Sequence, residues 1–316
     1  MDLVYFGSGA FGLPTLERLA AHHRVRCIIT QPDRPAGRGG RLTPTPIGAW
    51  AAEHVPGVPL LKPDRVNERS VCAQVRAFPA DAWVVIAFGQ KLGRALLEDR
   101  FAINLHASLL PRWRGAAPIN AAVLAGDAET GNSVITLADR MDAGDILAQS
   151  RRPLDPALTA GELHDLLAAD GPDLVEGVLR AHAEGTLAPR PQDETLVTLA
   201  PKLTKADGWV DFAQPADACR RRIHGLTPWP GVTAALGGRS LRLLRVEPAD
   251  ADPQQSAVGT IVDPDRGTVA CGGATALRLL TVQPAGGRDM PWADFARGHR
   301  IELGATLASG PGGTPC

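Results

Sequence analysis

An α/β fold with a mostly parallel sheet, followed by a small antiparallel β-barrel or sandwich, is predicted by three features of the sequence. Short apolar strands alternate with amphipathic helical stretches through the first half. A proline-bearing break with little periodicity runs over residues 185–201. Beyond it, strand candidates are short and separated by Gly and Pro turns.

Residues 3–6 read as the first strand, 13–21 as a helix and 25–30 as the second strand. Next come a helix over 72–78, a fully apolar strand over 82–87, a helical stretch over 91–97 and a strand over 102–106. Strands buried on both faces read as continuous apolar runs, as these do. A helix over 118–124 and strands over 133–137 and 146–151 follow. Over 161–184, Leu163, Leu166, Leu167, Leu174, Val175 and Leu179 form a broad apolar stripe that closes the domain. In the second half the strand candidates are 232–236, 241–246, 259–262, 268–270 and 276–282. The expected division is a catalytic domain over 1–185, a linker over 186–204, a second domain over 205–306 and a disordered tail over 307–316.

A chain of 316 residues with 44% hydrophobic composition can fill two cores. Neither a membrane span nor an export signal is expected, because no apolar run reaches about eighteen residues and no basic segment precedes one. Cys27, Cys72, Cys219, Cys271 and Cys316 are odd in number and lack CxxC spacing, which argues against a disulfide framework and points to the reducing cytoplasm. The net charge of −1 excludes a strongly basic chain but allows a local cationic patch.

Asn104 and His106 are the candidate chemical groups of the first half. Two residues apart on a strand, they face one side while Leu105 faces the core. A carboxamide donor beside an imidazole suits acyl transfer, where a carbonyl oxygen gains negative charge and a proton moves. Asp142, in the segment Arg140-Met141-Asp142-Ala143-Gly144-Asp145, would orient the imidazole if adjacent parallel strands end together. No residue set has convincing metal-ligand spacing, so no metal is expected. Gly7, Gly9 and Gly12 fit the dinucleotide fingerprint, but Thr30-Gln31-Pro32 stands where an acid should hold the ribose. The polar connection over 31–44 carries Arg34, Arg38 and Arg41 and could contact phosphates or be a solvated loop.

Together these residues resemble the methionyl-tRNA formyltransferases. The likeness lies in the 31–44 loop, Asn104-Leu105-His106, Ser108-Leu109-Leu110-Pro111-Arg112-Trp113-Arg114-Gly115, Met141-Asp142-Ala143-Gly144-Asp145, Lys202-Leu203-Thr204-Lys205 and Pro228-Trp229-Pro230. It implies a Rossmann-like formyltransferase domain followed by a C-terminal OB-like β-barrel. It also implies formyl transfer from 10-formyltetrahydrofolate to methionyl initiator tRNA by a monomer without membrane association. Under the resemblance, Asn104, His106 and Asp142 are catalytic, Ser108, Leu109, Leu110 and Pro111 form the folate-contacting turn, and Arg38 contacts the tRNA. Two departures stand out: Gly7-Ser8-Gly9 where Gly-Thr-Pro is usual, and Gly93 where proline is usual.

Three other readings compete. A folate enzyme formylating a sugar nucleotide or glycinamide ribonucleotide would share the Asn, His, Asp set. A nicotinamide dehydrogenase would explain the glycines but leave Asn104 and His106 without a role. An RNA-binding module could use the run Arg220-Arg221-Arg222, which more often reads as a solvated helix face.

Overall fold

The computed structural model describes residues 1–36, 39–251, 253 and 256–310. Its first ten strands are β1 (Asp2–Gly7), β2 (Arg24–Ile29), β3 (Arg34–Ala36), β4 (Arg41–Thr43), β5 (Leu60–Leu61), β6 (Ala82–Ile86), β7 (Ala102–His106), β8 (Arg114–Gly115), β9 (Glu129–Thr136) and β10 (Ile146–Pro153). Helices α1 (Leu13–His22), α2 (Pro46–His54), α3 (Arg69–Arg76), α4 (Arg94–Leu97), α5 (Pro118–Ala125) and α6 (Ala160–Ala183) are interleaved with them. Further on lie β11 (Leu199–Ala200), α7 (Ala216–Gly225), β12 (Val232–Leu236), β13 (Arg239–Ala249), β14 (Ile261–Asp263), β15 (Thr268–Cys271), β16 (Thr275–Pro284), β17 (Met290–Pro291), α8 (Trp292–His299) and β18 (Leu307–Ala308).

The chain packs as two units, the first taking residues 1–115, 130–152 and 164–199, the second 116–129, 153–163 and 200 onward. The expected boundaries at 185 and 205 follow the order of the chain, whereas this division interleaves it. Within the second unit α5 packs on α7: a Cβ on Gly225 would lie 2.7 Å from Leu124, and the Asn120 amide donates to the Gly225 carbonyl.

The sheet of the first unit has the order β10-β9-β7-β6-β1-β2-β5. The pairs from β5 through β7 are parallel, and β9 is antiparallel to β7. All five residues of β6 are buried, as a central parallel strand requires. Strand order reverses between β1 and β6, and ligands of open α/β sheets bind at the carboxyl ends beside such a point.

The glycines after β1 serve packing. A Cβ on Gly12 would lie 2.2 Å from the Tyr5 hydroxyl, and one on Gly7 would lie 2.5 Å from the Tyr5 ring. The amides of Ser8 and Gly9, the groups that would cradle a pyrophosphate, both donate to the Ala87 carbonyl. The dinucleotide reading therefore loses its donors.

In the second unit the sheet order is β14-β15-β16-β13-β12-β18, with β17 on β16 and antiparallel pairing throughout the described registers. It is an OB-like sheet whose core includes Leu243, Val246, Leu279 and Val282. The expected tail begins as structure: β18 pairs with β12, Leu307 is buried, and the Ser309 hydroxyl donates to the Thr233 carbonyl. Residues 311–316 lie outside the described residues. The arginine run of α7 is bonded within the second unit, with Arg220 buried and Arg221 and Arg222 partly exposed. Arg220 bonds Asp217 and the Pro156 carbonyl, Arg221 pairs with Asp217, and Arg222 donates to the carbonyls of Trp209 and Asp207.

Two consequences are measurable. Gly12→Ala should destabilise the protein by about 1–3 kcal/mol through overpacking, and by less in a Tyr5→Phe background that lacks the obstructing oxygen. Equal losses in both backgrounds, read by chemical denaturation, would contradict this origin. His224 is 1% exposed, and its Nε2 accepts the Val246 amide. Burial, with Arg220 and Arg245 nearby, lowers its pKa to about 4. The unfolded chain takes up a proton below about 6.5 while the folded chain does not until about 4, so stability present at neutral pH is lost as pH falls through that window. His224→Gln should flatten the dependence of stability on pH there; an unchanged slope would remove His224 as its source.

Candidate active site

β7 sets the first two groups. Ile103 and Leu105 are buried, and α6 approaches Leu105 through Gly171, where a Cβ would lie 2.7 Å from the leucine. The opposite face therefore carries Asn104 and His106 together. Asn104 is half-buried, and no described residue hydrogen bonds its carboxamide. That leaves a donor fixed by the strand and free to meet an incoming oxygen.

His106 is 6% exposed, with Nε2 2.9 Å from the Trp113 carbonyl oxygen and Nδ1 3.7 Å from Oδ2 of Asp142. Only a doubly protonated ring offers a proton to both acceptors. The same Asp142 oxygen accepts the Gly115 amide at 2.9 Å. Trp113 and Asp142, which flank the imidazole, have φ of 65° and 53°. Non-glycine residues in this region are strained, and such strain persists only where the surroundings over-determine it.

Asp142 does not reach His106 as the sequence predicts. Parallel strands would end side by side, but β9 is antiparallel to β7, pairing His106 with Ser133 and Ile103 with Thr136. Chain leaving β9 is thus at the wrong end and must fold back. It does so over residues 137–145, where Thr136 exchanges bonds with Asp145 and a Cβ on Gly144 would lie 1.7 Å from the Thr136 carbonyl oxygen.

The returning loop is gripped by the segment that reads as a linker in the sequence. Gln192 Nε2 donates to the carbonyls of Asp142 and Gly144 at 2.7 and 2.8 Å, and its Oε1 accepts Arg114 Nε at 2.9 Å. Arg114 is 5% exposed and also pairs with Glu194, which reaches Arg140 in the same loop. The hydrogen bond from Arg114, with charge from Arg114 and Arg140, holds the Glu194 carboxyl below the usual range. Thr198 Oγ1 accepts the Trp113 amide. Sequence reasoning missed Arg114, Gln192 and Glu194; the one available signal was a cluster of polar side chains in a stretch without periodicity.

The turn after β7 is held from below. Ser133 Oγ donates to the Ser108 carbonyl and accepts the Leu110 amide, while Gln149 donates to the Leu110 carbonyl and to Ser133 Oγ. Ser108 and Leu110 are buried, so Leu109 and Pro111 are the half-exposed members of this turn. The Leu110–Pro111 peptide is cis. Gly93 donates its amide to Asn67 Oδ1, a bond that a proline could not make. Arg38 lies outside the described residues, between β3 and β4, which pair as a hairpin. Among the described residues, no group of three or more His, Cys, Asp or Glu could hold a metal ion, and no helix is long and apolar enough to cross a membrane.

A family model described as formyl transferase matches residues 3–179, and one described as formyl transferase, C-terminal domain, matches residues 202–300. The methionyl-tRNA formyltransferase of Acidobacterium capsulatum is 40% identical to this chain, covering 95% of it and 97% of the relative. That of Halorhodospira halophila is also 40% identical, covering 96% and 97%. Among solved structures, HypX from Aquifex aeolicus in complex with tetrahydrofolic acid aligns with a TM-score of 0.60 at 15% identity, over 93% of this chain and 46% of that one. An N-formyltransferase from Helicobacter canadensis, in complex with folinic acid and dTDP-3-aminofucose, gives 0.64 at 11%, over 88% and 98%. At these identities the structural likeness carries the fold, whereas the relatives alike over nearly full length carry more: this chain belongs to the methionyl-tRNA formyltransferase family.

Proposed function

We propose that this chain transfers the formyl group of 10-formyltetrahydrofolate to the α-amino group of methionyl initiator tRNA, with Asn104, His106 and Asp142 as its catalytic set. The observation that carries the chemistry is a carboxamide without a hydrogen-bond partner among the described residues, on the same strand face as an imidazole whose Nδ1 lies 3.7 Å from a carboxylate. The choice of substrates is supported by full-length likeness to methionyl-tRNA formyltransferases.

The neutral amine attacks the formyl carbon, the new N–C bond forms, and the carbonyl oxygen becomes negative. Asn104 donates to that oxygen, and one preorganised donor of this kind contributes roughly 3 kcal/mol of barrier lowering. His106, with its charge balanced by Asp142, adds positive potential at the same oxygen. Its Nε2 proton becomes available once the bond to the Trp113 carbonyl is released. The bond from the formyl carbon to N10 of the folate then breaks, and the proton lost by the amine passes overall to N10.

The turn Ser108, Leu109, Leu110 and Pro111 contacts the folate, with the bonds to Ser133 and Gln149 holding it in shape. Arg38 contacts tRNA phosphate. The catalytic domain is assigned to residues 1–185 and a tRNA-binding domain to 205–306. The chain acts as a monomer in the cytoplasm, a setting supported by the free thiols of Cys27, Cys72, Cys219 and Cys271.

Incubation with 10-formyltetrahydrofolate and charged initiator tRNA should yield methionine heavier by one formyl unit; formylation of a sugar nucleotide in its place would overturn the substrate assignment. Asn104→Ala should slow single-turnover transfer by roughly 10²–10³-fold with both substrates still bound. A near-normal rate would take the oxyanion role from Asn104. Arg38→Ala should weaken tRNA affinity and lower its salt dependence by about one phosphate contact while sparing folate binding, and an unaltered salt slope would make Arg38 a bystander.

A further inference from the structure

We infer that Gln192, anchored by Arg114, is a positioning residue that fixes the Asp142 carboxylate against His106. The inference rests on the reading of Asp142 as catalytic and adds the means by which that carboxylate is placed.

The two hydrogens of the Gln192 amide serve two carbonyls of one loop, those of Asp142 and Gly144, at 2.7 and 2.8 Å. Its oxygen is tied to Arg114 Nε, so donor and acceptor ends have different partners and the amide has one satisfactory orientation. Arg114 is held in turn by Glu194, which also pairs with Arg140 two residues before Asp142. These bonds surround the one loop residue whose φ of 53° demands external support. The same segment reaches the other side of the imidazole, because Thr198 Oγ1 accepts the amide of Trp113 and the Trp113 carbonyl faces Nε2 of His106. Residues 192–198 therefore secure both acceptors that orient the ring. The amide hydrogens of Gln192 reach the loop through its backbone carbonyls, not through the imidazole or the carboxylate.

Glutamate at this position separates the two ends. It keeps an acceptor for Arg114, and so the fold of the segment, but presents oxygen where two carbonyls need a donor. For full-length Gln192→Glu, kcat should fall about 10–100-fold and KM for each substrate should change by less than about threefold, as expected when a reacting group is misplaced while substrate binding is preserved. The thermal midpoint should stay close to that of the unsubstituted protein. In an Asp142→Asn background the same substitution should have less than about a twofold further effect, because residues acting through one group are not additive.

Normal kcat in Gln192→Glu, or a full further loss in the Asp142→Asn background, would overturn the inference while leaving the catalytic role of Asp142 standing. Near-normal turnover of Asp142→Asn alone would overturn both. Should Gln192→Glu fail to fold, Arg114→Lys keeps the charge beside Glu194 but removes the Nε donor from Gln192. It should show a smaller kcat loss with the same non-additivity, and additivity there would equally dispose of the proposal.

Discussion

The antiparallel placement of β9 beside β7 is the constraint on which the site depends. Because His106 pairs with Ser133 near the middle of β9, a carboxylate on the chain leaving β9 emerges at the far end of β7. It can face the imidazole only if the connection doubles back within a few residues. Gly144 makes the reversal sterically possible, since any side chain there would enter the Thr136 carbonyl. The left-handed backbone of Asp142 follows from the same reversal. Strain of this kind costs about 1–3 kcal/mol per residue, and the amides of Gly115 and Gln192, with the Asp145 amide donated to Thr136 Oγ1, oppose its relaxation.

Along the same carboxyl edge of the sheet, beside β1, the glycines solve a packing problem. Tyr5 is a large ring in the first strand, fully buried, and its hydroxyl finds an acceptor in the Gly12 carbonyl only because neither Gly7 nor Gly12 carries a side chain. The turn between them is then tied across the sheet. Its amides donate to Ala87, the Ser8 hydroxyl donates to Phe88, and that hydroxyl accepts the Gln31 amide. The ends of β1, β2 and β6 are bound into one rim. A fingerprint that elsewhere frees amides for phosphate here spends them on the protein itself.

What the sequence discloses and what it conceals divide along physical lines. β7 and β12 are legible to the residue because apolar runs bounded by turn residues admit one reading. The pairing of Asn104 and His106 on one face follows from the pleat alone. The extent and buried face of helix α7 are hidden because that face includes Arg220 and His224, which an apolar-periodicity reading counts as polar. β18 is hidden for a different reason: two residues held by pairing with a distant strand leave no local pattern. The polar segment around Gln192 looks like a connector since its partners are backbone carbonyls fifty and forty-eight positions away, a relation that no local spacing encodes. Strand direction is equally silent, which is why β9 is misread as parallel.

Two neighbours on one strand thus serve different ends. His106 is woven into the resting structure, buried and facing a carbonyl on one side and a carboxylate on the other, so its replacement disturbs the ground state as well as any reaction. The Asn104 carboxamide makes no hydrogen bond to any described residue. A polar side chain with no hydrogen bond to a described residue, yet fixed by β7 on the face of the imidazole, has its interaction energy available for charge that exists only during the reaction. Differential stabilisation of that kind accelerates a chemical step, whereas a donor already satisfied in the resting enzyme must first give up its partner. The unpaired carboxamide is therefore the more direct oxyanion donor, and the imidazole the group that supplies charge and then a proton.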